Sequence, residues 1–127
     1  MSKLEAVDLD IWEFVRLMVL CEQRAEQAGY QRLLSRFGDA WSDIDARLTE
    51  LHAQDHQAYS DLMLNTSIKL SIADKSDYQL IIEAFQQVIT ELEALLAPCE
   101  LPEERHNFES EILALNKQIK KIKKALG

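Results

Sequence analysis

Two histidines, His52 and His56, stand one helical turn apart, a spacing that can bring two imidazoles onto one metal ion. Glu103 and His106 form a single Glu-x-x-His unit. A carboxylate-bridged di-iron bundle needs two such units on different helices, together with further inward-facing Glu residues. Here there is one, at a helix start. His52 falls beside an apolar seam rather than within it, and the His52/His56 pair straddles an expected break. Solvated histidines account for this pattern, so the metal assignment from sequence is none, and no cofactor is expected.

Other chemistry is no better supported. There is no Gly-x-Ser-x-Gly, no glycine-rich phosphate loop and no Cys-x-x-Cys, although triads assemble from distant residues and need no local motif. No catalytic residue is assigned. Cys21 lies in an apolar run and reads as a small core hydrophobe. Cys99 adjoins Pro98 in an expected loop. The first ten residues show no apolar signal core, and Glu5, Asp8 and Asp10 suit neither an export signal nor a transit peptide. A cytoplasmic, reducing setting is therefore expected. Trp12, Tyr30 and Trp41 could line a small-molecule pocket, but at helical spacing such rings more often fill a core.

The elements that must carry these residues are helical. With three Gly and two Pro in 127 residues, turn-formers are too few for a many-stranded sheet. Hydrophobic residues at 47% and charged residues at 28% describe a folded chain. A chain of this length can bury roughly two-thirds of its unfolded surface without a staple. The expectation is an all-α fold in one domain over 1–127, a mainly antiparallel bundle of four to five helices at 10–28, 30–53, 56–73, 77–97 and 103–125.

Each boundary has a local reason. Asp10 with Glu13 has the pattern of a capping box, and Gly29 reads as the stop of the first helix. A second seam steps by four and three through Tyr30, Leu34, Phe37, Trp41, Ile44, Leu48 and Leu51, and passes Gly38 without a slip. Asp55 would be costly to bury unpaired in that seam, so a break is expected at Gln54–Asp55, with Asp55 as the next N-cap. Ile68 to Ile72 alternates like a strand, but a lone strand lacks a partner, so the segment is assigned to helix. Ser76 and Gln79 form another capping-box pattern, and Pro102 suits the first position of the last helix. That helix repeats Phe108, Ile112, Leu115, Ile119, Ile122 and Leu126 at heptad spacing.

Two surfaces are candidates for interaction. The first helix is apolar over most of its girth, so it is either central or covered by a partner through Trp12, Leu17 and Leu20, with the central position favoured. On the last helix Glu109, Glu111 and Lys123 flank the heptad seam, and two antiparallel copies would bring Glu109 near Lys123 of the other chain. A homodimer of that kind competes with simple helix-dipole complementarity, which is the favoured explanation. The same dipole accounts for the lysines at 117, 120, 121, 123 and 124. A net charge of −8 argues against nucleic acid, and the longest apolar stretch, 17–21, cannot span a membrane. The functional expectation is a small acidic cytosolic protein-binding module (an adaptor, chaperone, anti-factor or immunity-type partner) without catalytic activity, meeting a partner with a basic surface. The alternative is a metal- or small-ligand-binding helical bundle with enzymatic activity.

Overall fold

The computed structural model describes residues 6–71 and 75–126. The class is all-α with one small sheet. The described residues divide into two compact units, Ala6–Ser71 and the helices that follow.

The first unit opens with β1 (Ala6–Asp10), followed by α1 (Ile11–Gln23), α2 (Ala28–Gln54), α3 (His56–Asn65) and β2 (Ser67–Ser71). β1 pairs antiparallel with β2, Leu9 opposite Ile68 and Asp8 opposite Lys69. The assignment of 68–72 to helix is thereby corrected as far as Ser71: the strand has a partner, some sixty residues earlier in the chain. Partners opposite each other in a sheet project to the same face. Here one face carries Leu9, Leu70 and the half-buried Ile68, while Asp8, Asp10, Ser67 and Lys69 are exposed. The Ile11 amide donates to the Thr66 carbonyl at 3.0 Å, which ties the start of α1 to the strand return.

α1 begins where the local code places it. The Glu13 carboxylate accepts the Asp10 N–H at 2.8 Å and closes the capping box. It ends at Gln23 rather than near Ala28, and Gly29 lies in the first turn of α2. Cys21 is the last buried side chain of α1, and no other is buried before Tyr30, so packing gives the turn at 24–27 no reason to continue the helix. The Arg24 amide closes the end by donating to the Leu20 and Cys21 carbonyls.

α2 runs unbroken for 27 residues, about 40 Å, and passes through Gly38 as the seam requires. Its end is the expected one. Asp55 leaves the helical conformation at φ −149°, ψ 92°, and its carboxylate accepts the Ala58 N–H at 3.1 Å as the N-cap of α3. Part of the unit's core joins Ile11, Leu48 and Leu62, with Val15, Ile44, Leu51, Tyr59, Met63 and Ile68 packed around them. A Cβ added at Gly38 would meet nothing within 4 Å. Gly38→Ala is therefore expected to raise stability by about 0.5–1 kcal/mol, since the helix loses less chain entropy with no clash to offset it. Chemical denaturation of the two proteins checks this, and a lower midpoint for the variant would contradict it.

The second unit pairs α4 (Lys75–Leu96) with α5 (Pro102–Leu126) across a five-residue connection. Ser76 is the second residue of α4 rather than its cap, a one-residue difference at a helix end. Pro102 opens α5, as its fixed φ and missing N–H suit. Arg105 joins the two helices by donating from Nη1 to the Leu96 carbonyl at 3.0 Å and the Cys99 carbonyl at 2.8 Å. Carbonyls at a helix C-terminus lack intrahelical donors, and the guanidinium supplies them.

Candidate functional site

The candidate residues on α1 do not form a surface. Leu17 is fully buried and Leu20 is 2% exposed, so both are core side chains and their assignment as contact residues is corrected. The physical reason is that α1 packs against α2, α3 and both strands. Neighbours inside its own unit take up the apolar girth that could have met a partner. Trp12 is half-buried, and among the larger apolar side chains of α1 only Val19 is exposed, at 37%.

The α5 candidates stand otherwise. Glu109 and Lys123 are exposed, and Glu111 is half-buried. Glu109 and Lys123 lie about 21 Å apart along one helix, so nothing brings them together within the chain. The seam between them packs against α4, with Leu115, Ile119 and Ile122 buried and Phe108 and Ile112 half-buried. The side chain of Leu126 lies outside the described residues. Pairing of two copies through this seam requires the hairpin to open.

The aromatic side chains divide by depth. Tyr30 is buried, while Trp12 and Trp41 are half-buried. Trp41 meets Phe14 edge to face, with ring centres 6.2 Å apart at 77°, the geometry that aligns a ring edge with the electron-rich face of its neighbour. Trp41 is thus anchored on the core and reaches the surface of α2. From Asp39 to Glu50 that helix exposes four carboxylates (Asp39, Asp43, Asp45 and Glu50) and one cation, Arg47. Asp45 lies one turn beyond Trp41.

The wider unit has the same sign. Of the eleven carboxylates between residues 6 and 71, only Glu13 is buried, and the unit carries six Arg and Lys. This excess was visible in the net charge. Its concentration on the second half of α2 is visible in the sequence too.

The thiols are chemically distinct. Burial, with the neighbouring Glu22 carboxylate adding to it, pushes the Cys21 thiol up to about 12. A thiol so held does not supply thiolate near neutral pH, which agrees with the core role expected of Cys21. Cys99 is half-buried in the α4–α5 connection, 3.7 Å from a Glu104 carboxylate oxygen and 3.8 Å from the Leu101 carbonyl.

His52 closes α2 and His56 opens α3, both exposed. The break between them does not separate their rings, whose centres are 5.9 Å apart at 89°. Tyr59 lies against both, 5.2 Å from His52 and stacked at 6.1 Å on His56. Glu103 and His106 are exposed at the start of α5. Among the described residues no group of three or more His, Cys, Asp or Glu is placed to hold a metal ion. Among them, too, no helix is long and apolar enough to cross a membrane. Comparison with protein-family models, curated proteins and solved structures gives no match.

Proposed function

We propose that the chain is a small protein-binding module, of adaptor, chaperone, anti-factor or immunity type, that acts in the cytoplasm by association rather than catalysis. The observation that carries this reading is the second half of α2. Four exposed carboxylates and one arginine give this stretch its charge, and Asp45, one turn on and on the same side of the helix, flanks a tryptophan that is held from below by Phe14 and half open to solvent. Carboxylates steer a basic partner during encounter, and a rigidly seated Trp is the residue type that most often dominates affinity once water is excluded. The partner is accordingly a protein with a basic surface.

The test uses the full chain as bait, with Asp39→Asn, Asp43→Asn and Asp45→Asn combined in a second bait. These side chains are exposed, so the variant should keep its helical circular dichroism. The native bait is expected to retain one partner in near-equal amount, with affinity falling as salt rises, and the variant to lose it. Equal retention by the variant would remove α2 as the binding face. A native bait that retains nothing specific would count against the module itself.

A further inference from the structure

We propose that His52 and His56 form a two-histidine chelate for a divalent transition ion of the zinc type, which fastens the end of α2 to the start of α3. Imidazole nitrogens bind such ions at about 2.0–2.1 Å, which puts each ring centre about 3.2 Å from the metal. Two rings on one tetrahedral ion then have centres about 5.2 Å apart. The observed 5.9 Å is somewhat wider than that spacing, so capture requires side-chain rotations that draw the two rings together and turn a nitrogen of each toward one point.

Two further features favour capture. Both histidines are exposed, so no packed side chain has to leave. Tyr59 packs against both rings and restrains them in one another's company, which lowers the entropy lost on chelation. Asp55, between them in sequence, has its carboxylate engaged by the Ala58 N–H as the α3 cap. With no third protein ligand among the described residues, water completes the coordination shell, and the affinity is that of a two-point chelate rather than of a closed structural site. Because one ligand lies on each side of the α2–α3 break, the ion binds the bent arrangement in preference to any state in which the helices part. Metal and corner geometry are therefore linked.

The experiment is calorimetric titration of the full chain with zinc chloride after removal of metal by a chelator, with the melting temperature measured in parallel. One ion per chain is expected to bind and to raise the melting temperature. His52→Gln and His56→Gln should each weaken binding about tenfold or more, since each leaves a single imidazole. His106→Gln and Cys99→Ser should leave it unchanged. Three outcomes would overturn the proposal: no binding up to about 1 mM zinc, a concentration at which even a weak site shifts stability; binding that survives the double histidine replacement; or binding that is lost with Cys99.

Discussion

Phe14→Ala is expected to cost the first unit about 3–5 kcal/mol, the range for truncating a fully buried Phe. Phe14 is 0% exposed, on a helix that packs against α2, α3 and both strands. Truncation removes the apolar area of the ring, leaves a cavity that its rigid neighbours can only partly fill, and deletes the edge-to-face contact with Trp41. Typical domains have about 5–15 kcal/mol of stability in total, so the variant should be partly unfolded at room temperature or melt far earlier. Urea unfolding followed by circular dichroism measures the loss. Tryptophan fluorescence in a Trp12→Phe background reports on Trp41 alone, whose emission should shift to the red as its support disappears. A loss below about 1 kcal/mol would mean that the site collapses around the missing ring, and the anchoring of Trp41 would have to be reconsidered.

Leu115→Ala should have the second-largest effect, with a loss of about 2–5 kcal/mol from the α4–α5 hairpin. Few side chains hold α5 in place: Leu115, Ile119 and Ile122 are its buried residues among those described. Its C-terminal half also works against itself. Lys117, Lys120, Lys121 and Lys124 are exposed and lie three or four residues from one another. No carboxylate of α5 stands at those spacings to offset the repulsion, which costs a few tenths of a kcal/mol per pair. The helix dipole favours cations over the last turn only, so the expectation that it explains the whole lysine run is corrected: it accounts for Lys123 and Lys124 and not for Lys117. Packing against α4 must therefore supply what the local sequence withholds. The variant should lose hydrogen-exchange protection throughout 112–126 and regain part of it in high salt, where lysine repulsion is screened. Unchanged protection would place the hairpin's stability elsewhere than in the seam.

The sequence by itself determined the features that depend on neighbours within one turn. The Asp10–Glu13 capping box, the unbroken passage of α2 through Gly38, the break at Asp55, the opening of α5 at Pro102 and the apolar seam 108–122 all rest on contacts three or four residues apart, which composition and spacing encode directly. The acidic stretch of α2 was equally open to reading. The tertiary structure alone decided three things. It gave the 67–71 strand its partner in 6–10, a pairing whose backbone hydrogen bonds join residues some sixty positions apart and leave no local trace beyond a short alternation. It ended α1 at Gln23, two residues after its last buried side chain, Cys21. It also turned Leu17 and Leu20 from a possible contact surface into core. A helix apolar on several sides looks the same in sequence whether its own chain or another covers it, and only the folded arrangement of α2, α3 and the two strands distinguishes the cases.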